Sequence, residues 1–387
     1  KSNYLNAPAE LNTINPLKLS NLDLSDNFRL NKRNNTLFVF DLRLFGGTLS
    51  YSGLQSSIDK DITNYSNFYD LTSNDSRRYN STESPNKISV VSETWKLERD
   101  ILPGLKSDLF YSFSKSNNGD TSKIYQFIER YAYTENVVNK SLFNIQDFLV
   151  NDTSGTWFDN YNYYENKTSE SETSYGANIE YELKVNNQIS GKLKAGFKTR
   201  EKERNYNRDY EYSTFTYVGQ QEKRDSTYKH FEWLNIIPLG TIYPAYWPFM
   251  DQNYNDEGFL NGDYSLGPFA DLDKMNGIFQ LNRSTWTYDP YHENIHHHYH
   301  KTESLIYDYS GEETYNAKYF MGDFNIGSKL NLVSGVRVED NETTYQSYHG
   351  MQTSLPHFNS MGSDTVSYYT RKNSFTLPSI FIKYDFT

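Results

Sequence analysis

Residues 174 to 184 alternate strictly in polarity. Tyr175, Ala177, Ile179, Tyr181 and Leu183 fall on one parity, and Gly176, Asn178, Glu180, Glu182 and Lys184 on the other. In a β-strand successive side chains point to opposite faces, so this segment has one apolar face and one charged face. A stretch of about nine to eleven such residues is what a tilted strand needs to cross the hydrocarbon layer. After Asn186, Asn187 and Gln188 the pattern resumes, with Leu193, Ala195 and Phe197 against Lys194, Gly196, Lys198 and Arg200. A hairpin with Leu183 facing Leu193 would set Tyr181 against Ala195, Ile179 against Phe197 and Glu182 against Lys194, satisfying both faces with one register.

The pattern recurs. Phe38, Phe40, Leu42 and Leu44 share a parity, as do Leu109, Tyr111 and Phe113. Near the end Leu332, Ser334, Val336 and Val338 oppose Val333, Gly335, Arg337 and Glu339, and Ile380, Ile382, Tyr384 and Phe386 oppose Ser379, Phe381, Lys383 and Asp385. Short connections are expected near 185 to 191, at Gly327 to Lys329 and at Asp100 to Gly104. Long polar ones are expected at roughly 55 to 86, 213 to 314 and 347 to 372. Short turns on one side and long loops on the other are the connection pattern of an outer-membrane barrel.

Composition narrows the alternatives. Mean hydropathy is −0.81 and apolar residues make up 36%, yet 35 Tyr and 24 Phe argue against a disordered chain and for strands. The absence of cysteine removes disulfides, thiolate metal sites and a cysteine nucleophile. A net charge of −11 argues against nucleic acid as a partner. No apolar run approaches the about eighteen residues of a membrane helix, so a membrane-spanning form must be a closed barrel. The fold expected is all-β, a transmembrane antiparallel β-barrel with long extracellular loops, residues 1 to 387 forming part of it. A soluble β-rich adhesin also alternates, and it stays open as a rival at this point.

The stretch from Tyr315 to Tyr345, with an A-x-Y strand, a short turn and then L-x-L-x-x-G-V-R-x-E, resembles a hairpin of TonB-dependent outer-membrane receptors. LKAGFKTREKER at 193 to 204 and LPSIFIKYDFT at 377 to 387 are similar to the same family. The resemblance covers about half of the chain. It implies active import of a scarce or large ligand through a barrel of about 22 strands, gated by a plug and energised by TonB. The resemblance also implies outer-membrane lipids as partners, with a surface lipoprotein capping the barrel as a further candidate. Roughly ten to twelve candidate strands lie between Lys1 and Thr387, with no plug-like region and no signal segment, so the expectation is a portion of a longer receptor. A complete small barrel, porin-like, is the rival.

On the polar parity Glu180, Glu182, Lys198, Arg200, Arg337 and Glu339 are expected to line the lumen, mainly bracing the wall. In the long region, Tyr243, Tyr246, Trp247, Trp286 and Tyr288 are candidate ligand-stacking rings, with loop packing as their plainer role. A short helix is expected after Pro268, because Phe269, Leu272, Asn276 and Phe279 share a helical face. Asp251, Asn253, Asn255, Asp271 and Asp273 have the look of calcium loops but lack the EF-hand spacing. His292, Glu293 and His296 match H-E-x-x-H, with Asp289 and Pro290 as a helix start. The flanks lack the apolar stripe of a zincin helix, so a zinc protease is the remote reading. An extended segment would instead line up His296, His298 and His300, and with His292 these are the candidate ligands of a bound metal ion. No other cofactor is implied, and no catalytic residue is assigned, since nucleophile elbow, phosphate loop and dinucleotide fingerprint are all missing.

Overall fold

In a computed structural model, residues 2–4, 19–44, 46–71, 76–137, 142–150, 155–186, 188–216, 218–255, 257–285, 297–349 and 365–386 are described. The backbone is dominated by one antiparallel sheet. Its strands are β1 (Ser2–Tyr4), β2 (Leu19–Leu44), β3 (Gly47–Asp70), β4 (Ser76–Glu83), β5 (Asn86–Leu102) and β6 (Leu105–Arg130). They continue with β7 (Thr156–Lys184), β8 (Ile189–Thr214), β9 (His298–Tyr299), β10 (Tyr309–Ile326), β11 (Leu330–His349) and β12 (Thr365–Tyr384). Each long strand pairs with its neighbour in the chain; β4 and β5 together occupy one lane between β3 and β6.

The strands outrun the expected length. β7 alone has 29 residues and at about 3.3 Å per residue extends about 95 Å. The expected loop at 55 to 86 is therefore not a loop. β3 carries Gln55 through to Asp70, and the chain returns as β4 and β5. The physical reason is that a strand above the bilayer needs no apolar face. The hydrogen-bond ladder continues through polar sequence that carries no membrane signal. The same holds for 347 to 349 and 365 to 372, which are strand, while 350 to 364 lies outside the described residues.

The three short turns lie where expected, but the register of the β7–β8 hairpin is displaced by two residues. Leu183 faces Gly191, Tyr181 faces Leu193, Ile179 faces Ala195 and Glu180 faces Lys194. The turn is tighter than the polar break suggests: the Asn186 side-chain oxygen accepts from the backbone N–H of Gln188 and of Ile189, both at 2.8 Å. An even displacement leaves every side chain on its expected face.

Registers fix the two faces across the sheet. Odd positions of β7 meet odd positions of β6 and β8, which meet even positions of β10, β11 and β12. One face thus collects Phe40, Leu109, Ile179, Phe197, Val336 and Ile380, all exposed, Ile380 to 70%. On β7 this belt runs from Tyr175 to Leu183, about 26 Å at about 3.3 Å per residue, the height of the apolar band of outer-membrane barrels. The opposite, inner face at this height carries Glu180, Glu182, Lys194 and Lys198. This is the wall of a transmembrane β-barrel, with an apolar belt on its outer face.

Above the belt the same outer face is covered by protein. The expected helix forms as α2 (Leu272–Thr285), preceded by α1 (Gln221–His230) and joined by residues 132–137 and 142–150. Met275, Ile278 and Phe279 are the buried anchors of α2, with Leu272 partly buried and Asn276 on its polar side, hydrogen-bonded to Glu83. Together these pieces bury Tyr65, Tyr69, Tyr125, Phe127, Phe158 and Tyr161 of the wall. Tyr65 has the parity of Tyr51, and Tyr161 that of Tyr175. The cap therefore sits on the outer perimeter, directly above the lipid belt, and leaves the inner face uncovered by this core.

The strand path ends at β12 on one side and at β1–β2 on the other. Among the described residues no pairing joins β12 to β1 or β2.

Candidate functional site

The inner face is built from the residues predicted to line it. Glu180 receives Lys192 at 2.8 Å and Lys194 at 2.7 Å, and Glu182 lies 3.5 Å from Lys106 and 3.8 Å from Lys192. Arg200 pairs with Glu313 across β8 and β10. Arg337 binds Glu339 at 2.5 Å and the Tyr315 hydroxyl at 3.1 Å, and Lys198 lies over the Phe110 ring at 6.0 Å. Most of these pairs tie neighbouring strands together. They are half exposed, so each contributes at most about 1 kcal/mol, and their sum braces the wall more than any one pair does.

Higher on the inner face the pairs give way to rings. Tyr164 and Tyr210 stack at 4.6 Å with an interplanar angle of 6°, and Tyr206 and Tyr309 at 5.8 Å and 12°. The Arg208 guanidinium lies between Tyr307 at 4.2 Å and Tyr164 at 5.0 Å. Sequence reasoning missed this set. The signal was present: of the nine even positions from Lys192 to Arg208, seven are Lys or Arg and none is acidic, in a chain of net charge −11.

The predicted stacking rings divide. Tyr243 is 52% exposed, with its ring 4.8 Å from that of Trp157, and Trp247 is 57% exposed. Arg130 lies 5.8 Å over Trp157, so this cluster presents open aromatic surface at the top of β6 and β7. Tyr246 is corrected from ligand contact to core. It is fully buried between Phe127 at 4.5 Å and Tyr79 at 5.9 Å, and its hydroxyl donates to the Pro268 carbonyl at 2.5 Å. Its backbone N–H bonds Thr156 O and Ala245 bridges Trp157, so the segment runs beside the end of β7 and turns residue 246 inward. Trp286 and Tyr288 lie outside the described residues.

Of the histidines, His292 and His296 are also outside the described residues, and with them the H-E-x-x-H segment and the helix start at Asp289. His298 belongs to β9, paired with Tyr212. His300 closes that short strand and opens α3 (Lys301–Leu305), so the extended run expected through His300 stops there. The His300 Nδ1 accepts from the Glu303 N–H at 3.1 Å, its ring stacks on Tyr210, and burial pushes its imidazole pKa down. His297, not singled out from sequence, is the most tightly held: Nε2 meets Glu211 at 2.7 Å and Nδ1 meets the Tyr161 hydroxyl at 2.9 Å, while Arg283 of α2 holds the other Glu211 oxygen at 2.7 Å. This network seams cap to wall. Among the described residues no group of three His, Asp or Glu converges on a metal position.

The acidic positions that suggested calcium serve turns instead. Asp271 caps α2 by accepting from the N–H groups of Asp273 and Lys274, Asp251 accepts from Asn253 N–H, and Asn255 from Glu257 N–H.

No family model matches the chain, and no curated protein does. Solved structures do. The ferric-catecholate import receptor Fiu from E. coli K12 in its closed form matches at 9% identity and a TM-score of 0.40, over 95% of this chain and 48% of that one. The siderophore receptor PiuA from Acinetobacter baumannii matches at 10% and 0.38, over 94% and 47%, and the ferric citrate transporter FecA at 8% and 0.28, over 95% and 42%. The chain is similar to these receptors and spans about half their length. At such identities and overlaps the likeness carries no functional argument, and the fold rests on the strand registers above.

Proposed function

We propose that the protein is an outer-membrane receptor that captures a scarce or large ligand at its extracellular side and imports it actively, energised by TonB. The observation that carries this reading is the division of one wall into an outward apolar belt and an inner face of charges and stacked tyrosines. That inner face continues far above the bilayer, where it can meet a ligand before the lumen does. The hairpin Tyr315–Tyr345, whose motif resembles TonB-dependent receptors, forms with Ala317 opposite Glu339 and Tyr319 opposite Arg337. Among the described residues the outer edges of β12 and of lower β2 have no pairing partner, and a backbone group left unpaired in hydrocarbon would cost several kcal/mol. A soluble adhesin would bury Ile179, Phe197 and Ile380 under a second layer, and all three are exposed.

Two measurements test the reading. Liposomes carrying the purified protein should not swell in arabinose, because a plugged receptor is closed to small sugars, and in cells formaldehyde should trap a TonB adduct. Arabinose-permeable liposomes with no adduct would make the protein a passive porin. A surface lipoprotein partner would appear in the same cross-linked material.

A further inference from the structure

The inner face of β7, β8 and β10 combines two properties rarely found together by chance. The first is the basic stripe: every charged residue at an even position of β8 from Lys192 to Arg208 is cationic, and its acids, such as Glu201, Glu203 and Glu211, all lie on odd positions of the opposite face. The second is a succession of rings beside those cations. From the top these are the Tyr164–Tyr210 stack, Arg208, the Tyr206–Tyr309 stack, Arg204 at 5.9 Å over Tyr309, and Arg200 at 5.2 Å over Tyr315. Glycines let further rings lie flat on the wall. A Cβ at Gly311 would come within 2.5 Å of the Tyr345 ring, and one at Gly196 within 2.6 Å of the Tyr319 ring. From Tyr210 to Gly196 the track covers fifteen residues of β8, fourteen steps of about 3.3 Å or about 46 Å.

Of the lower cations, Lys198 lies over the Phe110 ring and the others are committed to carboxylates. Arg200 pairs with Glu313, and Lys202 and Arg204 share Glu170 at 2.9 and 3.7 Å. Arg208 differs. Among the described residues it makes no ion pair, its Nε is buried without a hydrogen-bond partner, and the two flanking rings hold its guanidinium in place. A cation fixed by ring faces and lacking a carboxylate is prepared for an incoming one. Around it the Tyr206 and Tyr210 hydroxyls donate to Asn166 and Asn162, so the same surface offers amide and hydroxyl groups to a hydroxylated ligand.

We propose that this track receives an acidic oligosaccharide, whose sugar faces pack along the Tyr206–Tyr309 pair and whose first carboxylate is met by Arg208. Its length favours a chain of repeating rings and charges over a single compact chelate. The inference deepens the import reading and rests on it.

The test is calorimetric titration of the full protein in detergent with hexagalacturonate, with maltohexaose as the neutral counterpart. Hexagalacturonate should bind at least about tenfold more tightly, and Arg208→Gln should remove about that tenfold without changing maltohexaose binding. Tyr309→Leu should weaken hexagalacturonate about fivefold through lost stacking while leaving its salt dependence intact. Unaltered heat-modifiable migration on gels would establish that each variant is folded. Equal affinity for the two sugars, or Arg208→Gln binding as the wild type does, would overturn the proposal. So would a ferric tris-catecholate chelate that binds with Arg208 dependence where hexagalacturonate does not. None of these results touches the TonB adduct or the arabinose test, so failure of the track and failure of the import reading are told apart.

Discussion

Phe127→Ala should open the cap and leave the membrane wall intact. The Phe127 ring is fully buried where β6 meets the cap, with ring centroids of Tyr246 at 4.5 Å, Phe158 at 5.1 Å and Phe249 at 5.6 Å. Removing a phenyl group from such a site costs about 3–5 kcal/mol, the lost transfer energy plus that of a cavity its aromatic neighbours fill poorly. At about 1.4 kcal/mol per decade, cap opening becomes about two to four decades more frequent. Hydrogen exchange reads this directly. The Tyr246 amide, bonded to Thr156 O, and the Phe158 amide, bonded to Pro244 O, should exchange faster by that factor. Amides of 175–183 in the belt, held by the ladders to β6 and β8, should not change. Equal acceleration in both regions would refute the reasoning, because the cap would then be one cooperative unit with the wall. No acceleration in either would mean that Phe127 is not part of a packed core.

Other expectations follow from the same structure. Arg77 and Glu129 form a buried pair at 2.6 Å beneath the cap, so Glu129→Ala should cost the cap about 3–5 kcal/mol in denaturant titration, while Arg77→Met with Glu129→Leu should recover most of that loss. His300 is held neutral by burial. A base whose folded pKa is lowered contributes fully above the unfolded value of about 6.5, and that contribution fades as pH falls below it. The Tyr210 amide, bonded to Ser304 Oγ at 3.0 Å, should therefore lose protection as pH falls below about 6.5 in the wild type and not in His300→Gln. Ile179→Arg should destabilise the barrel by about 2–4 kcal/mol in lipid, and the adjacent Asn178→Arg by much less, since only the first places its charge in hydrocarbon.

Much of the wall was legible from sequence because parity is a local property. Tyr175 to Leu183 and Leu193 to Phe197 declare their faces without reference to any partner. The register between them was not legible to better than two residues, since it depends on how Asn186 closes the turn. Strand length was hidden for a different reason: beyond the bilayer nothing requires an apolar face, so the polar stretch from Gln55 to Asp70 carries no membrane-strand signal. The placement of the cap could have been foreseen in part, because Tyr65, Tyr69, Tyr125, Tyr161 and Tyr163 keep the parity of the belt well above it. A membrane explanation does not reach so high. Tyr246 misled because an exposed and a buried aromatic are indistinguishable in a loop without knowledge of what lies beneath it. Arg208 was overlooked because its significance lies in the rings of Tyr164 and Tyr307, which are distant in sequence.

The central claim is that odd residues of β7 face lipid and even residues face an aqueous lumen. The protein has no cysteine, so single substitutions from Ala177→Cys to Glu182→Cys can each carry a spin label without background. In lipid bilayers, labels at 177, 179 and 181 should relax with membrane-dissolved oxygen, and those at 178, 180 and 182 with a water-soluble nickel chelate. Inverted alternation, or accessibility that does not alternate, would contradict the account.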